Sequence, residues 1–261
     1  MQKESIKFEN STILEGMTSL RALFAGYSKN CNDRPIIRLL YEEVRRDKLT
    51  KELSFLRAMS EKYHFPLVAV SCEEIDALSI GHSHGGVIAE CGNRTLPVLD
   101  EKCEITEHGF YAMIQGIEDP YNFGYAIRSL YACGVDGIIL PERNWLSAAG
   151  VVARSSAGAS EEIPMFVVAD ASDAIDFFHA RAYAAVCADE RTDHLLHKTA
   201  LKKPLLLIVG GERRGISRKV LEKADLLVKI GYAREFRASL SAASATTIMA
   251  YEIFRQNDGE L

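Results

Sequence analysis

The chain has 261 residues, a formal net charge of −5, 48% hydrophobic residues and 26% charged ones. That length suits one large domain or two small ones, and the composition is that of an ordinary globular protein. The acidic balance argues against general nucleic-acid binding, and no apolar run reaches the ~18–20 residues that span a bilayer.

The opening stretch, MQKESIKFEN, lacks the basic-then-apolar layout of a secretory leader, so the expected compartment is cytoplasmic, with no membrane partner. Cys31, Cys72, Cys91, Cys103, Cys133 and Cys187 form no C-x-x-C pair and no zinc spacing, which leads us to expect reduced thiols and no metal site. Basic residues gather at Arg34, Arg38, Arg45, Arg46, Lys48 and Lys51, again at Arg213, Arg214, Arg218 and Lys219, and at Arg234 and Arg237. Each cluster reads first as a solvated face, while three of them together leave RNA open as a partner.

Residues 1–104 read as a small α/β unit. PIIRLLYEEV is a strand candidate that also suits a short helix. TKELSFLRAMSEKYH carries Leu53, Leu56, Met59 and Tyr63 at helical spacing, with Thr50 as the expected N-cap. FPLVAVS reads as a buried strand, CEEIDALS as a short helix, and HSHGGVIAEC as a two-glycine turn into a strand. CGNRTLPVLDEKCEIT breaks the periodicity and marks a boundary.

Residues 105–261 alternate more regularly. GFYAMIQGI reads as a strand, NFGYAIRSLYACG as a helix closed by Gly134, and GIIL as a strand; a helix is expected over 144–153. MFVVA, YAAVCA, PLLLIVG and DLLVKI follow as strands, with helices at ASDAIDFFHA, SRKVLEKA and a long last one at SLSAASATTIMAYEIFRQ. Such alternation predicts a mostly parallel sheet covered on both faces.

In sheets of that kind ligands collect where strands end and helices begin. Three stretches qualify. In DPYNFGYAIRSLYACG, Asn122 could cap the helix, Gly124 allows close approach, and Arg128 lies one turn further on the same face. LLLIVGGERRGIS runs a buried strand into Gly210, Gly211, Glu212 and Gly215, without the Lys-Ser/Thr of a phosphate loop; adjacent glycines there let main-chain groups face a flat, adenine-like ligand. KIGYAREFRASLSAASATTIMAYE crowds Ser239, Ser241 and Ser244 at the start of the last helix, where capping is the simple reading beyond Ser239.

In that order and at those separations the three stretches resemble the motifs of the SpoU/TrmH family of the SPOUT superfamily, ribose 2′-O-methyltransferases of rRNA or tRNA. Asn122, Gly124 and Arg128 match the first motif, Gly210, Glu212 and Gly215 the second, and Ile230, Ser239 and Leu240 the third; SSAGASEEIPMF is similar to the family's Ser-Ala-Gly-Ala stretch. SHGGVIAEC looks like the closing turn of the ribosomal-protein-like RNA-binding domain that many members carry, which favours a turn over a metal site for His82 and His84. His194 and His197 read as surface residues.

The resemblance implies an N-terminal RNA-binding domain over 1–104 and a SPOUT domain over 105–261, with the C-terminal segment tucked through a loop as a deep trefoil knot. It implies S-adenosylmethionine as cofactor, RNA as partner (rRNA ahead of tRNA), and a homodimer whose subunits complete each site. Gly210, Gly211, Ile230 and Leu240 would hold the cofactor; Asn122, Glu212 and Ser239 would orient the site; Arg128 would meet the RNA. The chain departs from the family pattern at Gly231, where Pro is usual, and at Ser241, where Asn is usual; its stretch from Ile230 to Leu240 is about one residue longer than common. A non-catalytic RNA-binding relative and a nucleotide-binding α/β enzyme of another class are the competing expectations.

Overall fold

The computed structural model describes residues 12–81, 84–141, 148–211, 214–235 and 238–257. They fall into two compact units, one of residues 12–95 with 148–162, the other of 96–141 with 163–257.

The first unit begins with β1 (Ile13–Glu15), α1 (Gly16–Ser28), β2 (Ile36–Glu42), α2 (Thr50–Tyr63), β3 (Leu67–Val70), α3 (Cys72–Leu78) and β4 (Val87–Cys91). Its sheet has the order β1-β4-β2-β3, with β2–β3 parallel and both β4 pairings antiparallel. PIIRLLYEEV is therefore a strand. The apolar stripe expected on α2 is confirmed at Leu53 and Leu56, which join Leu20, Leu23, Phe24, Leu39 and Phe65 in the core.

Two expectations fail here for local reasons. Thr50 is not the N-cap of α2: Leu49 holds that position, and the Thr50 hydroxyl donates instead to the Asp47 carbonyl at 2.8 Å. FPLVAVS is no buried strand either. β3 lies at the sheet's edge with Val68 40% exposed, because an edge strand lacks a second neighbour to cover it. Ser71, unremarked in the sequence, caps α3 through a reciprocal capping box with Glu74.

The second unit opens with β5 (Phe110–Gln115), α4 (Pro120–Ala132) and β6 (Gly137–Pro141). The chain then rejoins the first unit as α5 (Ala149–Ser155) and α6 (Ala159–Glu162). Residues 142–147, most of the stretch where a helix over 144–153 is expected to start, lie outside the described residues. β7 (Met165–Val168), α7 (Ala171–His179), β8 (Ala184–Ala188), β9 (Leu205–Gly210), α8 (Arg218–Lys223), β10 (Leu226–Val228) and α9 (Ala242–Asn257) complete it. The six strands run in the order β10-β8-β9-β5-β6-β7, every pairing parallel, as the alternation predicts.

β5 and β9 sit in the middle and are apolar on both faces. Tyr111, Met113, Leu206 and Ile208 pack with Ile175 and Phe178 of α7 and Val220 of α8. Phe110, Ala112, Leu205 and Leu207 alternate with them and are fully buried too, on the face where α9 packs against β9 and α4. This two-sided burial explains why both strands read as unbroken hydrophobic runs.

The Ser-Ala-Gly-Ala segment is tied into the first unit by buried charge. Arg34 Nε donates to Glu161 Oε2 at 2.9 Å, Asn32 Nδ2 donates to the same oxygen at 2.7 Å, and Arg94 Nη1 donates to the Ser160 carbonyl at 2.7 Å. Burial pushes the Glu161 carboxyl upward, but Arg34, Arg94 and Asn32 outweigh it and hold the group below its ordinary range. Its stabilising effect is thus present above the ordinary glutamate range and lost as pH falls through the lowered value. Replacing Glu161 by Ala leaves Arg34 buried without its carboxylate and should cost about 3–5 kcal/mol in urea unfolding. A loss below about 1 kcal/mol would contradict this assignment.

Candidate functional site at the carboxyl edge of the parallel sheet

Because the six strands are parallel, their C-terminal ends share one edge, and the segments leaving β5, β9 and β10 emerge there. The β5–β9 ladder ends at the pair Gln115↔Gly210 and is extended by one bond, Gly211 N–H to the Gln115 carbonyl at 2.7 Å. The chain turns back at once: Gly215 N–H donates to the Gly211 carbonyl at 3.0 Å. A Cβ on Gly211 would lie 1.8 Å from the Gly116 carbonyl oxygen, and one on Gly210 would lie 2.5 Å from the Gly215 carbonyl carbon. Both glycines are therefore demanded by main chain closing on main chain. Gly215 (φ +59°) is different, since nothing stands within 4 Å of the Cβ it lacks, leaving main chain open at the turn. Glu212 lies outside the described residues.

The segment after β10 is held from two sides. Lys229 N–H donates to the His194 carbonyl at 2.9 Å and Leu196 N–H donates to the Lys229 carbonyl at 2.8 Å, placing half-buried Ile230 directly beyond this contact. Leu240 N–H donates to the Tyr232 hydroxyl at 3.3 Å, a cross-link between the two ends of the connection to α9. Ser239 is exposed and precedes the helix. Ser241 Oγ accepts from Ser244 N–H at 3.2 Å and so acts as the cap of α9.

In the first motif the structure corrects one role. Asp119, not Asn122, caps α4: its Oδ1 accepts from Asn122 N–H at 2.8 Å, with Pro120 at the first helical position. Asn122 stays in the first turn, half-buried, beside the edge where β5 ends. Gly124 is buried and Arg128 exposed, about 6 Å further along the axis at 1.5 Å per residue. Arg128 has no hydrogen bond or ion pair among the described residues, and it shares a helical stripe with exposed Tyr121 and Tyr125. One copy of the chain thus places Asn122, Gly210, Gly211 and Ile230 along one edge of the sheet and leaves Arg128 on the helix flank.

At the end of β8 a bidentate Arg191 holds the Asp189 carboxyl below its ordinary range, against partial desolvation. Cys187, fully buried near the end of β8, has its thiol pushed up to about 12 by that burial. Among the described residues no cluster of three or more His, Cys, Asp or Glu is arranged to hold a metal ion. His82 lies outside the described residues; His84 is buried, accepts from Gly86 N–H at 3.1 Å and pairs with Asp76, a turn-holding role. Sequence reasoning missed Asp119, Gln115 and Tyr232. The Asp-Pro pair was the available signal for the first; nothing in the sequence marks the other two.

The model of the SpoU rRNA Methylase family matches residues 109–251, which contain every one of these segments. The chain belongs to that family. A Staphylococcus haemolyticus protein named for the TrmH family of tRNA/rRNA methyltransferases is 35% identical over 146 residues, 55% of this chain and 57% of that protein, so the match spans little more than half of the relative. The SpoU methyltransferase AviRb of Streptomyces viridochromogenes, solved in complex with AdoMet, matches with a TM-score of 0.75 and 24% identity over 94% of this chain and 89% of that one. An rRNA methyltransferase from Sinorhizobium meliloti matches with a TM-score of 0.76 and 20% identity, over 96% and 93% of the two chains. At these identities the two structures establish a shared fold, which spans both units of this SpoU family member.

Gly211→Ala should disrupt the end of the β5–β9 ladder and lower stability by roughly 1–3 kcal/mol or more, because the added methyl meets backbone that has nowhere to go. Gly215→Ala meets only the conformational cost of its positive φ, about 1–2 kcal/mol. Thermal melts of the two variants should rank in that order; the reverse order would contradict the crowding described here.

Proposed function

We propose that this chain is an S-adenosylmethionine-dependent methyltransferase that modifies a ribose 2′-hydroxyl in RNA, rRNA ahead of tRNA. The observation that carries the reading is that separate motif segments leave the parallel sheet at the same edge: Asn122 after β5, Gly210 and Gly211 after β9, and Ile230 after β10. The donor set suits this cofactor. It offers main-chain groups around Gly211, Ile230 and Leu240 and has none of the Lys-Ser/Thr pairs that grip phosphate, and S-adenosylmethionine carries no phosphate. When bound, the cofactor supplies an electrophilic methyl group for in-line displacement. The chain's own contribution is placement and exclusion of water: Asn122, Glu212 and Ser239 orient the site, and Gly210, Gly211, Ile230 and Leu240 hold the adenosine end.

Arg128 serves the RNA. Its guanidinium offers a planar fork of N–H donors, so its role is to fix an adjacent phosphate and favour charge developing on the 2′-oxygen. Exposure of Arg128 on the flank of α4 supports a site completed by a second copy of the chain. Tyr121 and Tyr125 on α4 and Ile248 and Tyr251 on α9 are 46%, 48%, 40% and 58% exposed, and the two helices are joined by Ser129 Oγ and Thr247 Oγ1 at 2.6 Å. A patch of this kind is what a homodimer covers.

The same reading takes 1–104 as an RNA-binding, ribosomal-protein-like domain and 105–261 as the methyltransferase domain with its trefoil knot, in the cytoplasm. Of the first basic cluster, Arg34 is buried against Glu161, and Arg38 and Arg45 pair with Glu90 and Glu42. Exposed Arg46, Lys48 and Lys51 remain to meet phosphate.

Calorimetric titration with S-adenosylmethionine should show saturable binding; no binding would sink the methyltransferase reading. Arg128→Lys should abolish methyl transfer while leaving cofactor binding intact, whereas substantial retained activity would reduce Arg128 to a point charge. Tyr125→Glu together with Tyr251→Glu should convert dimer to monomer in analytical ultracentrifugation, and an unchanged sedimentation coefficient would remove this patch from the interface.

A further inference from the structure

The Gly210–Ser217 turn is anchored at both ends by one residue. Gln115 receives Gly211 N–H on its main-chain carbonyl at 2.7 Å and Ser217 N–H on its side-chain Oε1 at 3.2 Å. Gly211 and Gly215 pair as an isolated bridge inside those two points, and the glutamine side chain links the end of β5 to the residue that opens α8. Ser217 is the N-cap of α8, and its own side chain makes no capping bond. The Gln115 amide oxygen thus satisfies an N–H at a helix start that otherwise faces solvent. Gly116 (φ +83°) allows the chain to leave β5 sharply enough for its carbonyl to lie against Gly211. The main-chain bond is available to any residue at 115; the second is available only to a side chain with an acceptor at this reach.

We infer that Gln115 is a positioning residue that sets the aperture of the glycine turn and thereby the affinity of the site for the adenosine portion of its cofactor. This rests on the methyltransferase reading for the ligand and not for the clamp itself. A turn with both ends fixed loses less conformational freedom when a ligand seats against it. One partly exposed hydrogen bond of this type corresponds to a change of roughly three- to tenfold in an equilibrium constant.

The test uses the full chain, with Gln115→Met, which keeps length and removes the acceptor, and Gln115→Glu, which keeps the acceptor. Amide hydrogen exchange at Ser217 in the ligand-free protein should be roughly three- to tenfold faster in Gln115→Met and return towards wild type in Gln115→Glu. Titration with S-adenosylhomocysteine should follow the same order, with Gln115→Met binding more weakly by a similar factor. Equal exchange at Ser217 in wild type and Gln115→Met overturns the clamp, as does equal weakening in both variants. If exchange at Ser217 is faster in Gln115→Met as expected but the wild type binds no S-adenosylhomocysteine, the clamp stands while the cofactor role falls with the methyltransferase reading.

Discussion

The constraint on which the rest depends is the closure of two turns, after β5 and after β9, on each other at the centre of a parallel sheet. Gly116 presents its carbonyl where Gly211 has no side chain, and Gly210 lies against Gly215 in the same way. Adjacent parallel strands whose exits are this close leave no space for side chains between them, so the turns are built from main chain. That follows from where β5 and β9 stand. Both are buried on both faces and paired on both edges, which fixes the position of their ends more firmly than that of any edge strand.

Chemistry placed at such an edge inherits the rigidity. The functional roles proposed for Gly211, Ile230 and Leu240 are main-chain roles, and main chain is positioned by the ladders and cross-links around it: Gln115 to Gly211, Leu196 to Lys229, Tyr232 to Leu240. Arg128 is the opposite case. It is a long side chain on the outer stripe of α4 with no hydrogen bond or ion pair among the described residues, and in the proposed reading it gains a defined position from what binds that stripe. The proposed division is between a fixed pocket and a borrowed charge.

Much of this was legible in the sequence, for reasons that can be named. Unbroken apolar runs such as LLLIVG and alternating helices gave the parallel sheet, because two-sided burial removes polar residues from central strands. The three loops were found because strand ends are where Gly, Asn and Ser replace hydrophobic residues. What was not legible depended on partners distant in sequence. Val68 is exposed because β3 is an edge, which no property of FPLVAVS records. Gln115 and Tyr232 act through bonds to Ser217 and Leu240, and glutamine or tyrosine at those places carries no local signature. Asp119 displaced Asn122 as the cap although both are good capping residues, and Pro120 between them decides it, since it takes the first helical position. The burial of Arg34 was hidden in a basic cluster because its partner, Glu161, stands 127 residues away.

The most direct test of the central claim is transfer of a labelled methyl group from S-adenosylmethionine to RNA by the purified chain, followed by mapping of the product. A ribose 2′-O-methyl group blocks alkaline cleavage of the adjoining phosphodiester, because the oxygen that would attack phosphorus is alkylated. The proposed chemistry predicts label in ribosomal RNA at one alkali-resistant linkage, dependent on Arg128. Label recovered on a base with the linkage still alkali-sensitive, or no label in any RNA from a protein that binds the cofactor, would contradict it.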